Sequence, residues 1–443
     1  MRMHGNRCSV KLGLVGLLAL VFAAPAHPER IGPAADDALL AAGADGTPSV
    51  AIARDDGVYL ATRGANGWTA RQISARTGRL AGLAVGPGGA YDVLVEDPSG
   101  RWLTLLTPAA TAAIVKPGSK AGRLGPAGLA LDANGAPVVA YAAMRGRPQP
   151  KLGGTPTYLR LARFAGTRVR TTAITQRGFP QSSVLPAAAP VLVDGRIHVV
   201  ETYTSAAIEW QPKARGRWIG QFLFASISGS PVGPVASVAG LGDTVWSAWT
   251  QTYPEFGETH VLLNLRGSDE VTDDLVKHGA LVSLALAGGR PEVAANDWVD
   301  AGGYRDYAGL VVDAGGAAVE LDGRLLGYLA IPTGGRQVLL ADSSGLEWYD
   351  LTGAPDAHVS VTATPDGRLS GRVDGARGGS VELYREQPGR PRTLIDTAPL
   401  GADGSFQAQD AAPHSPTLYR AVYRDPATGL PYASLTRTPV GSR

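Results

Sequence analysis

The sequence predicts an all-β protein: a seven-bladed β-propeller followed by an Ig-like β-sandwich. Three features lead to this prediction: a strand–turn–strand phrase that recurs seven times, room for four strands in each repeat, and a change of strand rhythm near residue 353. The chain contains 58 glycines and 32 prolines among 443 residues, which is typical of many short strands joined by turns. We expect the propeller to span residues 27–353 and the sandwich to span residues 354–443.

The clearest copy of the repeated phrase runs from Gly128 to Tyr141. A short apolar run, an Asp-Ala-Asn-Gly turn and a more amphipathic run follow one another there. Related phrases start near residues 37, 80, 126, 187, 233, 281 and 324. The starts lie about 43 to 61 residues apart, which is the spacing expected of propeller blades. Seven starts predict seven blades, with a six-bladed ring as the alternative.

Each repeat has room for four strands. In the first repeat, Asp-Gly, Asp-Asp-Gly and Asn-Gly turns separate four short strands within residues 39–73. First strands are rich in small residues, as in Gly82–Val85, and this suits an innermost strand where blades crowd around an axis. The last repeat has about three strands and ends at Leu351, so we expect residues near Ile31 to Ala35 to supply its fourth strand. Two stacked sandwiches or a β-helix are the alternative architectures, and four strands per repeat disfavour the β-helix.

Three segments of these repeats carry a resemblance to a known group of proteins. The phrase Leu129–Tyr141, the run Tyr158–Phe164 and the segment Gly64–Thr69 resemble repeats of exported bacterial β-propellers that are distantly similar to sialidase-like folds. The likeness covers roughly residues 37 to 352. The sialidase Asp-box, Ser-x-Asp-x-Gly-x-Thr-Trp, is missing from the sequence, and so is the Gly-His and Trp-Asp pair of WD repeats. The resemblance therefore implies a fold, and no catalytic residue is carried over from it.

The segment after Gly353-Ala-Pro355 contains seven short strands separated by turns such as Pro-Asp-Gly and Gly-Gly. Seven strands in about 85 residues are typical of an Ig-like sandwich. The run Leu418–Tyr423 resembles a late strand of bacterial Ig-like or fibronectin type III-like modules, in which Tyr419 would form a tyrosine corner. We expect this module to be a separate domain that acts as a spacer.

The first 26 residues have the features of a secretory signal peptide. Arg2, Arg7 and Lys11 form a positive region, an apolar run follows, and Ala24-Pro-Ala26 is a cleavage site. The run is short for a membrane span, and an uncleaved anchor helix is the alternative. Cleavage removes the single cysteine and leaves no transmembrane segment. The segment thus predicts a protein that is secreted or extracytoplasmic, or associated with the cell surface, and the resemblance implies that it is bacterial.

Charge and motifs exclude several classes of function. Lys plus Arg number 41 and Asp plus Glu number 39, so there is no global electrostatic case for binding nucleic acid or an anionic membrane. No Gly-x-Ser-x-Gly, His-Glu-x-x-His, P-loop or dinucleotide-binding motif is present. The histidines are scattered without metal-ligand spacing. We therefore predict no cofactor, no metal and no catalytic residue.

One face of the predicted propeller carries the candidate ligand-binding residues. In a blade, the loop between the second and third strands lies on the same face as the inter-blade connections, and repeats three to six have unequal loops there. Aromatic, carboxylate and amide side chains suit the recognition of sugars or peptides. Trp249 and Trp298 are the expected stacking platforms, although both could instead pack between blades. The predicted ligand-binding residues are Glu201, Tyr203, Trp249, Tyr253, Glu255, Asp297, Trp298, Asp300, Tyr304 and Asp306.

These observations favour a non-catalytic protein that recognises an extracellular glycan, peptide or protein through this face. The alternative is a hydrolase or lyase of extracellular polysaccharide that uses a pair of carboxylates on the same face. A structural protein of the cell envelope is the third hypothesis. The carboxylates available to the enzyme are Glu201, Glu255, Glu258, Asp297 and Asp300.

Overall fold

The computed structural model describes residues 28–437 except 34, 36, 117–120, 146–154, 166–167, 176–178, 182–184, 204–205, 226–229, 254–257, 266–270, 301–304, 314–317, 332–334, 343–344, 353–355, 387–391 and 414–416. Antiparallel β-strands dominate these residues, which confirms the predicted all-β class. Two short 3₁₀ turns, Pro87–Gly89 and Ala214–Gly216, interrupt them. No helix among the described residues is long and apolar enough to cross a membrane.

Seven antiparallel sheets follow one another along the chain, and the first strand, β1 (Glu29–Gly32), belongs to the last of them. Sheet one contains β2 (Ala38–Ala42), β3 (Pro48–Arg54), β4 (Gly57–Gly64) and β5 (Gly67–Ser74). Sheet two contains β6 (Arg79–Val85), β7 (Tyr91–Glu96), β8 (Leu103–Leu106) and β9 (Thr111–Val115). Sheet three contains β10 (Ala121–Leu124), β11 (Gly128–Leu131), β12 (Pro137–Arg145), β13 (Thr155–Ala165), β14 (Arg168–Ala173) and β15 (Phe179–Gln181).

The next four sheets repeat the order of sheet one. Sheet four contains β16 (Ala188–Val193), β17 (Arg196–Tyr203), β18 (Ala206–Pro212) and β19 (Trp218–Ala225). Sheet five contains β20 (Ser230–Ala239), β21 (Val245–Tyr253), β22 (Glu258–Leu265) and β23 (Val271–Lys277). Sheet six contains β24 (Gly279–Ala287), β25 (Arg290–Asp300), β26 (Arg305–Asp313) and β27 (Ala318–Asp322). Sheet seven contains β28 (Arg324–Ala330), β29 (Arg336–Ala341), β30 (Leu346–Asp350) and β1.

The predicted repeat starts agree with the first strands of these sheets to within a few residues. The fourth strand of sheet seven comes from the N-terminal segment, as predicted, but from Glu29–Gly32 rather than residues 31–35. Two strands of sheet three were not predicted: β10 pairs with β12, and β15 pairs with β13. Both are short and lack the alternating apolar pattern by which the other strands were recognised.

First strands of successive sheets pack against one another. Contacts run from β2 to β6, and then through β11, β16, β20, β24 and β28 back to β2. Small residues permit these close approaches. A Cβ atom on Gly82 would lie 2.5 Å from Leu129 Cβ in the next sheet, and one on Gly327 would lie 2.6 Å from Leu40 Cβ. This closeness explains the small residues seen in the sequence at these positions.

A recurrent bulge in the first strands accompanies a recurrent side-chain bond. Register shifts lie at Leu80/Gly82, Leu281/Ser283 and Leu325/Gly327. In each case the leucine backbone N–H donates to a side chain of the preceding sheet, or, for Leu80, to the residue just before the first strand of that sheet. The acceptors are Asp37 Oδ2 at 2.6 Å for Leu80, Thr250 Oγ1 at 2.9 Å for Leu281, and Asn296 Oδ1 at 2.7 Å for Leu325. Each bond satisfies a donor that the bulge removes from the strand ladder.

The described residues of the C-terminal region form seven strands, as predicted, arranged in two packed sheets. One sheet contains β31 (His358–Ala363), β32 (Arg368–Asp374) and β35 (Ser405–Gln409). The other contains β33 (Ser380–Glu386), β34 (Thr393–Pro399), β36 (Leu418–Arg424) and β37 (Pro431–Arg437). Apolar residues of both sheets share one core cluster, including Leu369, Phe406 and Tyr423. Tyr419 is fully buried, and its hydroxyl donates to the Asp410 side chain at 2.9 Å.

The C-terminal sheets are joined closely to sheet six. Strand β27 pairs with β37 at Leu321 and Tyr432, so one continuous sheet crosses the junction. The core cluster of the C-terminal sheets also includes Leu321, Leu325 and Tyr328. The expected spacer is therefore docked on the preceding sheets through shared packing, rather than only tethered to them.

A buried ionic network reinforces this junction. Arg420 is 1% exposed, and its Nε donates to Glu386 at 2.6 Å while its Nη1 donates to Asp322 of β27 at 3.2 Å. Arg392 donates to the same Asp322 carboxylate at 2.8 Å. Charges buried in this way require partners with good geometry, because the interior cannot solvate them.

Candidate functional site

The loops between second and third strands and the inter-sheet connections lie at the same end of each sheet. We call this end the loop face. The polar bonds described above link the second-strand ends of sheets five and six to the first-strand starts of the next sheets, so these ends lie side by side. The unequal loops predicted for repeats three to six cover residues 144–154, 201–203, 249–258 and 296–307. Much of the last three ranges lies in strands rather than loops, since β17 ends at Tyr203, β21 at Tyr253 and β25 at Asp300, while residues 146–154, 254–257 and 301–304 are outside the described residues.

A cavity of about 420 Å³ opens on the loop face. Sheets two, three and five contribute to it, and so does the segment that leads into sheet four, through Glu96, Leu124, Gly233 and Leu185 among others. Sites formed by several elements of a rigid scaffold are common places for ligand recognition. Sequence analysis missed these residues, because it searched long loops rather than strand ends.

Charged groups line this cavity. Arg79 Nη2 lies 2.6 Å from Glu96 Oε2, and the Glu96 carboxylate is almost fully buried while Arg79 is exposed. Arg123 lies at the exposed rim. The adjoining turn is held by Asp97, which accepts backbone bonds from Arg101 at 2.6 Å and from Trp102 at 2.7 Å. Burial opposes ionisation of Asp97, but these bonds and one from Ser99 outweigh it and lower its pKa.

Glu201, a predicted binding residue, lies two residues before the loop-face end of β17. It is 5% exposed, and its Oε2 accepts a bond from Trp210 Nε1 at 3.0 Å. Burial raises the pKa of Glu201 to about 7, although the Trp210 bond acts in the opposite direction. A carboxyl group in this environment is partly protonated near neutral pH.

Trp249 does not occupy the predicted position of a stacking platform. It is 1% exposed and packs in a cluster formed by sheets four and five. Its Nε1 donates to Gln251 Oε1 at 3.2 Å. A ligand cannot stack on a ring without an accessible face, so the alternative role, packing between sheets, applies to Trp249. Both faces of β21 are buried here. The sequence pattern does not distinguish such a strand from one that buries only one face and exposes the other to solvent.

Asp297 and Tyr253 lie in different surroundings. Asp297 raises the pKa of Glu320, which places it near the acidic groups at the C-terminal junction. Burial is the main cause of the raised pKa of Glu320, which is about 7, although Arg420 lowers it. Tyr253 forms an edge contact with His260, whose ring lies 4.9 Å away, and His260 Nε2 lies 2.9 Å from Glu258 Oε2.

The remaining predicted binding residues are defined less fully. Glu255 and Tyr304 lie outside the described residues. Only the backbone is described for Tyr203, Trp298, Asp300 and Asp306, which lie in strands ending at the loop face. Their grouping around one ligand thus stays a prediction.

A larger cavity, of about 550 Å³, lies at the C-terminal junction. Its buried polar groups bond to one another: Tyr328 Oη donates to Glu292, and Arg336 forms an ion pair with the same carboxylate. Burial and the bond to Glu292 raise the pKa of Tyr328, so the phenol stays protonated. These bonds pair polar groups of sheet six with polar groups of sheet seven. We therefore interpret this cavity as a gap where the sheets pack together rather than as a ligand-binding site.

The described residues contain no cluster of three or more His, Cys, Asp and Glu side chains placed to hold a metal ion. His198 and His260 each bond to a glutamate instead.

No family model and no curated protein matches the chain. Among solved structures, Hadza microbial sialidase Hz136 aligns at 10% identity with a TM-score of 0.38, covering 76% of this chain and 73% of the sialidase. Pyrococcus horikoshii acylaminoacyl peptidase aligns at 8% identity with a TM-score of 0.43, covering 79% of this chain and 58% of the peptidase. A polysaccharide lyase, the PL25 ulvan lyase, aligns at 12% identity with a TM-score of 0.33, covering 93% and 94%. These similarities establish no activity, and no relative shows an exported propeller with an Ig-like module.

Proposed function

We propose that this chain is an exported, non-catalytic recognition protein that binds an extracellular glycan, peptide or protein at its loop face. In this proposal the seven sheets are the blades of a closed seven-bladed propeller, and the C-terminal sheets are an Ig-like module docked on blades six and seven. The cycle of first-strand contacts from β2 round to β28 supports the closed ring. The pairing of β1 with β30 supports closure within blade seven.

The cavity on the loop face is the observation that carries the proposal. Three sheets and the segment leading into sheet four converge on it, and it presents an exposed arginine beside a buried glutamate. This combination can accept and donate hydrogen bonds to hydroxyl, amide or carboxylate groups of a ligand. Two aromatic residues predicted at the loop face of sheet six, Trp298 of β25 and Tyr304, would add stacking surface.

A glycan-array and peptide-array screen of the purified protein tests the proposal, followed by affinity measurements on variants. We expect Trp298→Ala and Arg79→Gln each to weaken binding by about tenfold or more, because a stacked aromatic or a charged contact is typically worth more than 1 kcal/mol. Arg196→Gln, on the opposite face, is the matched control for Arg79→Gln. If both loop-face variants bind like the parent and the control loses binding, the ligand binds the opposite face and the proposal is wrong.

One observation favours the enzyme alternative. Glu201 has a pKa of about 7, which suits a general acid in glycoside cleavage. A reducing-sugar assay on neutral and acidic polysaccharides, with Glu201→Gln beside the parent, distinguishes the two classes. Sugar release that Glu201→Gln abolishes would favour the hydrolase or lyase, whereas binding without turnover supports the recognition protein. Absence of both binding and turnover would favour the structural envelope protein.

A further inference from the structure

The outer strands of sheet three present three arginines toward sheet four. Leu159 and Leu161 of β13 are buried in a cluster that they share with residues of sheet four. Side chains two residues apart lie on the same face of a strand, so Arg163 points the same way. The register places Arg170 of β14 directly opposite Arg163, and Arg168 lies two residues before Arg170 on the same face.

This arrangement concentrates positive charge without a protein counter-ion. Arg163, Arg168 and Arg170 are exposed, and no carboxylate among the described residues lies within ion-pair distance of them. Like charges directly opposite each other on paired strands repel. A bound anion would remove that repulsion.

The facing wall of sheet four is aromatic. Trp210 and Trp218 are half-buried and pack against the cluster that contains Leu159 and Leu161. The register pairs Ile208 with Phe222 and Trp210 with Gly220, which places Phe222 on this same face. A Cβ on Gly220 would lie 3.2 Å from the Trp210 ring, so the glycine leaves room for that indole.

Solvent exposure increases along the two facing sheets toward their outer strands. Leu159 and Leu161 are buried at the base, the two indoles are half-buried, and Phe222 is 68% exposed at the outer strand. The space between them, which we call the rim groove, follows β19 for eight residues, or about 25 Å. It lies on the outer flank of sheets three and four, away from the loop-face cavity.

We infer that the rim groove binds an acidic polysaccharide chain. The guanidinium groups of Arg163, Arg168 and Arg170 match the geometry of carboxylate or sulfate groups through paired N–H donors. Trp218 and Phe222 on the other wall offer ring faces to the apolar faces of sugar rings. An acidic polysaccharide carries both groups on one chain. Its anionic groups can bond to the arginines while its sugar rings stack on the aromatic side chains.

The groove favours a polysaccharide over a membrane surface. A narrow chain can contact both the arginines and the half-buried indoles, whereas a flat bilayer surface meets mainly the exposed positions. Three exposed cations extend the positive surface at the end of the groove opposite the loop face. They lie in the turn between β18 and β19. They are Lys213, Arg215 and Arg217.

Binding of the purified full chain to three polymers tests the inference: polygalacturonate as the carboxylated chain, dextran sulfate as the sulfated chain, and dextran as the neutral control. We expect one or both acidic polymers to bind in low salt, dextran not to bind, and affinity to fall as salt increases. The polymer that binds more tightly shows whether the groove prefers carboxylate or sulfate groups. Arg163→Gln combined with Arg170→Gln should weaken binding at least tenfold, because two paired donors are lost.

The control is Lys116→Gln combined with Arg290→Gln, which removes the same charge from exposed positions elsewhere. It should leave affinity within about twofold of the parent. Phe222→Ala, an exposed change that should not affect folding, is expected to weaken binding several-fold. Equal losses in the control and the arginine variant would overturn the inference. So would binding to anionic vesicles or single-stranded oligonucleotides in the absence of binding to either acidic polymer.

Discussion

The indole Nε1–H of Trp210 bonds to the Glu201 carboxylate at 3.0 Å and joins the third strand of sheet four to the second. Trp210 lines the rim groove, and Glu201 lies near the loop-face end of β17. One hydrogen bond therefore connects the two surfaces that we propose for ligand binding. It also holds the Trp210 ring in a fixed orientation above Gly220.

The burial of Glu201 should make stability depend on pH. Its pKa is about 7 in the folded protein against 4.5 for the free side chain, so the folded state binds more protons between these values. The free energy of unfolding should therefore fall as pH rises from about 4.5 to about 7, by an amount on the order of 3 kcal/mol. Glu201→Gln keeps the acceptor for Trp210 and should remove this part of the pH dependence.

Urea unfolding at pH 5 and pH 7.5, for the parent and for Glu201→Gln, measures this effect. Asp55→Asn is the control, since Asp55 is exposed. Identical pH dependence in the parent and Glu201→Gln would show that Glu201 ionises normally in the folded protein.

Removing Arg420 should destabilise the junction strongly. Arg420→Met removes the 2.6 Å ion pair of the buried Glu386 carboxylate and one of the two arginines that contact Asp322. Removing one partner of a buried ion pair typically costs about 3 to 5 kcal/mol. Arg368→Met is the matched control, because Arg368 is exposed and its contact with Asp366 is 4.0 Å long. Urea midpoints of the two variants should differ clearly. Equal midpoints would contradict a stabilising role for the network.

The close packing of first strands predicts the outcome of a glycine substitution. Gly327→Ala places a Cβ 2.6 Å from Leu40 Cβ, so the two sheets must move apart, and we expect a loss of roughly 1 to 3 kcal/mol. Gly122→Ala is the control, because its nearest contact would be an ordinary 3.6 Å from Met144 O. Thermal unfolding of both variants measures the difference. A parent-like melting temperature for Gly327→Ala would argue against tight contact between sheets seven and one.

The shared core predicts that the C-terminal sheets are less stable alone than in the whole chain. A fragment of residues 356–443 loses the pairing of Tyr432 with Leu321 and the Asp322 partner of Arg420. We expect its melting temperature to lie well below that of the full chain, as followed by circular dichroism. A fragment that melts at the same temperature as the full chain would contradict this and would support the expectation of a separate C-terminal domain.

Sequence patterns predicted the strands well because turn signals are local. Asp-Gly and Asn-Gly turns marked the hairpins of sheet one, and the C-terminal strands were found in the same way. The pattern could not identify which apolar residues face solvent, since both sides of these sheets are buried, and Trp249 was misjudged for that reason. The rim groove depends on strand register: Arg163 and Arg170 are seven residues apart in sequence, and only the pairing places them opposite each other.

The pairing of β1 with β30 also affects the order of folding. Glu29 lies beside Trp348 in the finished sheet, so the contact closes a loop of more than three hundred residues. During synthesis, the segment Glu29–Gly32 emerges long before its partner strand exists. Contacts between such distant parts of a chain form late and slow the overall reaction. Sheet seven can therefore form completely only in a full-length chain. A chain that stops before Leu346 lacks β30, the partner strand for Glu29–Gly32.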